Sequence, residues 1–342
     1  MSEVTTPVRP LLEVKNLRKF FPIYKGFRRK LVGNVRAVDD VSFFINEGET
    51  LGLVGESGCG KTTAARCVLR AYQPSNGEML FRTIDGSIID LAKLSRSELR
   101  PFRSQMQMIF QDPYGSLNPR MTLFDIVGEP LLMNGLKNRK VRTERVAELL
   151  RRVGLRPEYL QRFPHAFSGG QRQRIGIARA LASSPRLIVA DEPVSALDVS
   201  VQAQILNLLL ELQTELHLTY LFVAHNLSVV KHICDRVTVM YVGKIVETAA
   251  TQELYHTPKH PYTAALMSAA PVADPRIKSG NVELQGDVPS PANPPSGCYF
   301  HPRCPFAIDR CKTEAPVYRE IRSNHFVSCH RADELQLAGV AV

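Results

Sequence analysis

The chain lacks any apolar run near the ~18 residues that a bilayer-crossing helix requires, so none of its 342 residues reads as a membrane span. The stretch Met1 to Pro10 is polar and carries no hydrophobic core of a secretory signal. The first absence excludes an integral pore. The second argues against export and places the chain in the cytoplasm, where work at a membrane requires docking on other subunits. There is no internal repeat and no sustained heptad pattern, which removes solenoids and long coiled coils. What remains is ordinary globular composition, 44% hydrophobic and 22% charged, enough for a sizeable buried core. Lys and Arg number 43 against 33 Asp and Glu, a net charge of +10. That surplus suits anionic partners such as nucleotide, nucleic acid or an anionic membrane face, and equally a solvated basic surface.

Short apolar runs alternate with helical patterns. Glu13 to Lys19 and Val41 to Ile45 read as strands, with the basic stretch Lys25 to Lys30 as a loop between them. Thr50 to Val54 is a buried strand that stops at glycine, and Lys61 to Ala71 a helix. Thr143 to Val153 sets Val146, Leu149, Leu150 and Val153 at amphipathic helical spacing. Leu187 to Ala190 is a strand, Val201 to Leu216 a long helix and Thr219 to Ala224 a further strand. The alternation predicts an α/β domain with a largely parallel sheet. Residues 112–167 are more helical and read as an inserted subdomain. From Pro258 onward, Pro271, Pro275, Pro289, Pro291, Pro294 and Pro295 interrupt any long helix, and Pro289 to Gly297 reads as an extended connector into a cysteine-rich tail.

Gly55-Glu56-Ser57-Gly58-Cys59-Gly60-Lys61-Thr62 fits the phosphate-loop pattern, with Thr63 following. Its glycines let backbone N–H groups converge on phosphate oxygens, and the helix behind presents its positive end to the same charge. Lys61 is placed for the β- and γ-phosphates and the Thr62 hydroxyl for Mg²⁺. A chance match in such a composition is on the order of 1%, and here the loop also lies between a predicted strand and a predicted helix. Leu187-Ile188-Val189-Ala190-Asp191-Glu192 ends an apolar strand in two carboxylates. Asp191 is placed to hold Mg²⁺ and Glu192 to polarise the attacking water. Taken alone, the pair could be a solvated strand end.

Phe167-Ser168-Gly169-Gly170-Gln171-Arg172-Gln173-Arg174 resembles the signature sequence of ATP-binding-cassette (ABC) proteins, with Phe167 where that family has leucine. An ordinary helix cap would explain Ser168 but not the string. The resemblance covers about residues 11–260 and implies a P-loop, RecA-like core. That core carries an antiparallel β part at its N-terminus and the helical subdomain near 112–167. It implies that Ser168, Gly169, Gly170 and Gln171 act on the ATP bound by an opposite subunit. It implies that Gln111 contacts Mg²⁺ and water and senses the transmembrane partner, that His225 contacts the γ-phosphate, and that Ser195-Ala196-Leu197-Asp198 forms a loop at the dimer interface. Phe21 is assigned to stack on adenine, with Phe20 as its rival.

His260-Pro261-Tyr262-Thr263 and Cys298-Tyr299-Phe300-His301-Pro302-Arg303-Cys304-Pro305 resemble the C-terminal extension of oligopeptide and dipeptide importer ATPases. The segment Phe21 to Val38 resembles the second ATPase of such pairs. The expected division is therefore a nucleotide-binding domain over 11–260 and a small Pro/Cys-rich extension over 261–342. Cys298, Cys304, Cys311 and Cys329 are separated by five, six and seventeen residues, unlike the C-x₂-C pairs of zinc modules. The resemblance implies a [4Fe–4S] cluster on these thiolates; zinc and a bare cluster of packed thiols are the alternatives. The tail lies beyond every phosphate-contacting motif, so its role is expected to be structural.

The resemblance thus implies an ATP- and Mg²⁺-dependent ATPase, peripheral on the cytoplasmic face of the inner membrane, that drives uptake of peptides or related solutes. Nickel, opines, oligosaccharides and glutathione are alternative cargoes. The implied partners are a sister ATPase in a heterodimer, two permease chains and, indirectly, an external solute-binding protein. Nucleic acid is not expected. A DNA-repair or chromosome cassette ATPase would suit the basic charge, but the missing coiled coil and missing second cassette oppose it. The intact Glu192 opposes a switch that only binds nucleotide.

Overall fold

The computed structural model describes residues 10–268 and 286–339. Pro271 and Pro275, two of the helix-interrupting prolines, and the polar N-terminal stretch through residue 9 lie outside the described residues. In chain order the strands are β1 (Pro10–Lys25), β2 (Lys30–Asn46), β3 (Thr50–Val54), β4 (Asn76–Arg82), β5 (Ile88–Asp90), β6 (Met106–Ile109), β7 (Leu187–Asp191), β8 (Thr219–Val223), β9 (Arg236–Tyr241), β10 (Lys244–Ala250), β11 (Arg319–Arg322) and β12 (His325–Val327). The helices are α1 (Lys61–Val68), α2 (Arg96–Leu99), α3 (Leu123–Met133), α4 (Arg139–Arg152), α5 (Gly169–Leu181), α6 (Val199–Leu216), α7 (Leu227–Ile233), α8 (Thr251–His256), α9 (Pro261–Ser268) and α10 (Asp309–Thr313). No helix among the described residues is long and apolar enough to cross a membrane. The chain folds into two compact, discontinuous units.

Among the described residues, the first unit comprises 46–49 and 94–222. Here β6 and β7 pair in parallel, Ile109 opposite Ala190. β7 is buried along its whole length, as expected of a central parallel strand. The helices α3, α4 and α5 form the helical part, and their sequence explains where they start. Thr122 and Asp125 make a reciprocal capping box at α3, and the Asn138 carboxamide caps α4 by accepting from the N–H groups of Lys140 and Val141. The predicted amphipathic face is the buried one, with Val146, Leu149 and Leu150 enclosed.

Among the described residues, the second unit comprises 10–45, 50–93, 223–268 and 286–339. One sheet runs β2-β1-β4-β5, with β4 antiparallel to both β1 and β5. Both N-terminal strands are longer than the sequence pattern suggested. The basic loop shrinks to a turn at Gly26–Arg29, because residues on either side continue the strand pairing. Five further strands lie in the order β11-β12-β10-β9-β3. β3 and β9 are parallel, and β9/β10, β10/β12 and β11/β12 are antiparallel. The cysteine-rich tail therefore extends this sheet: Glu247 of β10 sits opposite Val327 of β12. Residues 286–297 have no regular structure, as the prolines dictate.

Candidate functional site

In the second unit, β3 delivers the phosphate loop directly onto α1. The glycines here are required by close approach. A Cβ on Gly60 would sit 2.0 Å from the Ala37 carbonyl oxygen, and one on Gly55 2.2 Å from that of Met240. Gly60 also holds φ at +106° as the residue before α1, where no side chain caps the helix. An uncapped helix start of this kind favours an anion. Lys61 is 6% exposed, and its ammonium donates to the carbonyls of Gly55 at 2.8 Å and Glu56 at 3.0 Å. Ser57 and Gly58 form the exposed crest of the loop, and Thr62 and Thr63 are half-buried at the start of α1.

Two loop residues face the protein. Cys59 is 2% exposed; burial pushes its thiol pKa up despite the nearby Lys61, so its side chain is packing and not a nucleophile. Glu56 is held by the tail: its N–H donates to Tyr262 Oη at 2.9 Å, and its carboxylate takes both terminal nitrogens of Arg303. Neither contact was visible in sequence spacing, since Arg303 lies 247 residues from its partner. His225 is exposed between β8 and α7. Phe20 and Phe21 are both half-buried on β1. The Phe21 ring meets Tyr72 edge-on at 5.7 Å and has the Lys19 ammonium over it at 4.8 Å.

In the first unit, the β6/β7 register decides the geometry. Gln111 and Glu192 each lie two residues past the paired Ile109 and Ala190, and Gln111 Nε2 donates to Glu192 Oε2 at 2.8 Å. Asp191 is 2% exposed at the end of β7. Glu192 takes a left-handed φ of +47°, a conformation that costs a non-glycine residue about 1 kcal/mol or more. The Ser195 hydroxyl donates to the Glu192 carbonyl at 3.1 Å and helps hold that turn. The hydrogen bond from Gln111 orients the carboxylate on that turn.

The signature string opens α5 with a capping box between Ser168 and Gln171. Phe167 is 6% exposed and meets the Tyr159 ring at 5.4 Å, so phenylalanine fills an apolar site without touching the cap. A Cβ on Gly170 would approach Val201 Cγ1 to 2.5 Å, and one on Gly169 would meet Leu197 at 3.5 Å. These glycines let the segment Ser195 to Val201 close on the helix start. Ala196 and Asp198 are exposed beside it. Gln173 Nε2 also reaches the carbonyl of Phe110 at 3.5 Å, tying α5 to the residue before Gln111.

The tail cysteines converge. Cys298, Cys304, Cys311 and Cys329 line one cavity of about 20 Å³, and burial raises the thiols of Cys298, Cys304 and Cys329 to about 11. Four sulfurs on one cavity fit an iron–sulfur group in donor chemistry. Among the described residues, however, no three His, Cys, Asp or Glu side chains are disposed as a metal-binding set, so ligation is not supported by geometry.

The phosphate loop, the strand-end carboxylates and the capped signature helix define an ABC-type ATPase. Residues 38–195 match the family described as ABC transporter, and residues 246–311 the oligopeptide/dipeptide transporter C-terminal region. The chain is 54% identical over 322 residues to the oligopeptide transport ATP-binding protein AppF of Bacillus subtilis strain 168, covering 94% of this chain and 97% of the relative. It is 53% identical over 320 residues to a probable peptide ABC transporter ATP-binding protein, y4tS, of Sinorhizobium fredii, covering 94% and 89%. Among solved structures it is similar to the dimeric cassette MJ0796 in a post-hydrolysis state bound to ADP and Pi. There the TM-score is 0.60 and the identity 30%, over 70% of this chain and 98% of that one. The chain belongs to the ATP-binding subunits of ABC transporters.

Proposed function

We propose that this subunit couples ATP hydrolysis to the uptake of peptides. The observation that carries this reading is a hydrolysis-competent pair, Glu192 held by Gln111, on the same chain as an oligopeptide-type tail. The relatives named above are ATP-binding proteins of oligopeptide or peptide transporters, which supports peptide as cargo over nickel, opines, oligosaccharides or glutathione. The functional division follows: residues 11–260 bind nucleotide, with the helical subdomain near 112–167, and residues 261–342 form the importer-type extension.

In this reading the loop N–H groups, Lys61, Thr62 and Thr63 hold the phosphates and Phe21 takes the adenine. Thr62, Gln111 and Asp191 hold Mg²⁺, which neutralises phosphate charge when bound. Glu192 takes a proton from water as it attacks, and His225 holds the γ-phosphate in place. Ser168 to Gln171 act on the ATP of a sister subunit, met through the Ser195–Asp198 loop. The support for this last assignment is the match of Ser168 to Gln171 to the family's signature, at the start of α5. Two permease chains anchor the pair to the cytoplasmic face of the inner membrane, and an external binding protein supplies solute.

The resemblance to importer ATPases alone assigns an iron–sulfur cluster to Cys298, Cys304, Cys311 and Cys329, which line one cavity but are not disposed as a metal-binding set. Brown protein with iron and acid-labile sulfide after anaerobic purification supports this assignment. Colourless protein with stoichiometric zinc replaces the metal, and metal-free reactive thiols remove the site.

The function is tested by ATP-dependent uptake in vesicles containing the chain with its neighbouring-gene permeases and binding protein. Peptide uptake that stops with Glu192→Gln supports the proposal. Uptake of another solute with no peptide uptake refutes the cargo.

A further inference from the structure

We propose that Arg303 of the tail is a positioning residue for the phosphate loop, and that through it the C-terminal extension sets the affinity for nucleotide. The inference rests on the reading of Gly55 to Thr62 as the ATP site. Glu56 puts a carboxylate on a loop that must accept a polyanion, and an uncompensated carboxylate there repels phosphate. Arg303 answers it bidentately, Nη1 to Oε2 at 2.8 Å and Nη2 to Oε1 at 3.1 Å. The guanidinium side chain is 6% exposed and the carboxylate 26%, so solvent screens the pair weakly. Such fork-on-fork geometry fixes orientation as well as charge.

The arginine is itself fixed. Nη1 also donates to Tyr241 Oη at 3.4 Å. Tyr241, Tyr262 and Phe300 pack as a buried aromatic floor, with ring centroids 4.7 to 5.4 Å apart. Tyr262 holds the Glu56 backbone at the same time. Side chain and main chain of one loop residue are therefore both gripped by residues beyond position 260. Arg303 sits between Cys298 and Cys304, so the packing of the cysteine cavity bears directly on the grip. A rigid support of this kind keeps the loop in its binding geometry.

The test is the equilibrium dissociation constant for MgATP of the full-length chain. Arg303→Ala weakens binding about tenfold, because it strands Glu56 beside the phosphates. Glu56→Gln added to Arg303→Ala recovers most of the loss, since no stranded charge is left; a purely structural role for Arg303 would show no such rescue. If Arg303→Ala does not fold, Arg303→Lys with and without Glu56→Gln measures the same coupling, with a smaller loss from the lost fork. Wild-type affinity in the arginine variants, or absence of rescue by Glu56→Gln, overturns the proposal. Lys61→Ala separates the two layers. If Lys61→Ala binds MgATP normally, the ATP site is misassigned. If it binds weakly while the arginine variants bind normally, only the role of Arg303 falls.

Discussion

Two helix starts on this chain are built for anions, and they are built differently. At α1 the chain enters through Gly60, with no side-chain cap, and Lys61 is drawn back onto the loop carbonyls. At α5 the Ser168 hydroxyl already accepts the Gln171 N–H, and the Gln171 side chain accepts that of Ser168. The first start has no side-chain cap and suits an anionic ligand. The second is stable without one and offers only what the cap leaves over. The difference separates an uncapped start at α1 from one at α5 whose cap is already formed.

The sharpest way to break this comparison is to remove one polar side chain from each start. Lys61→Ala lowers MgATP affinity of the chain on the order of a hundredfold, the scale of a lost charge-assisted contact of roughly 2–3 kcal/mol. Ser168→Ala leaves that affinity within about twofold and costs α5 about 1 kcal/mol of cap stability. Isothermal titration of both variants checks the pair; equal losses at the two positions would erase the distinction.

Gly170→Ala sharpens the second half. Its methyl meets Val201 Cγ1 at 2.5 Å, and valine has little rotamer freedom to yield. The cost is about 1–3 kcal/mol, seen as a lower Tm, and Val201→Ala in the same chain recovers most of it. If the double variant melts no higher than the single, the close packing of α5 against α6 is not what requires the glycine.

The smallest effect is one of pH, and it tests the support behind the first start. His325 on β12 is fully buried between Glu247 and Glu253, with Arg322 also on Glu253 at 3.6 Å and the His260 N–H on Glu247 at 2.9 Å. Burial by itself would depress the imidazole, but the two carboxylates outweigh it and raise its pKa above 6.5. A raised value means that protonated His325 contributes stability below its unfolded pKa, and that this contribution is lost as pH rises through the folded value. Amide protection factors in β11 and β12, taken relative to the intrinsic exchange rate at each pH, should therefore fall above neutral pH, and His325→Gln should flatten that dependence. An unchanged pH profile in His325→Gln would assign the titration elsewhere.

Much of the first start was legible in the sequence. An apolar strand, a glycine loop and a lysine at the head of a helix are local features, and β3, the loop and α1 follow them. The helix pattern ran to Ala71, but α1 ends at Val68, where Arg70 takes a left-handed φ of +53°; pattern alone does not report that backbone choice. Ser168 before a helical pattern allowed a cap at α5, while the part Gln171 plays in it and the burial of Asp191 were not marked in the sequence. The Gln111–Glu192 hydrogen bond needed the β6/β7 register. The grip of Arg303 on Glu56 was not legible, because nothing local marks an arginine between two cysteines as a partner of a residue 247 positions away. The addition of β12 to β10 was hidden for the same reason. The strand is three residues long, too short for periodicity to declare it.

The measurement closest to the central claim is phosphate release by the purified chain, alone and then assembled with its sister ATPase and permeases. If α5 acts only on nucleotide presented by a partner, the dilute chain is a poor ATPase and assembly raises its turnover substantially. Glu192→Gln then lowers its own site's rate by about 10²–10⁴-fold while MgATP still binds. Full turnover by the dilute monomer, or near-wild-type turnover by a site carrying Glu192→Gln, would contradict the account.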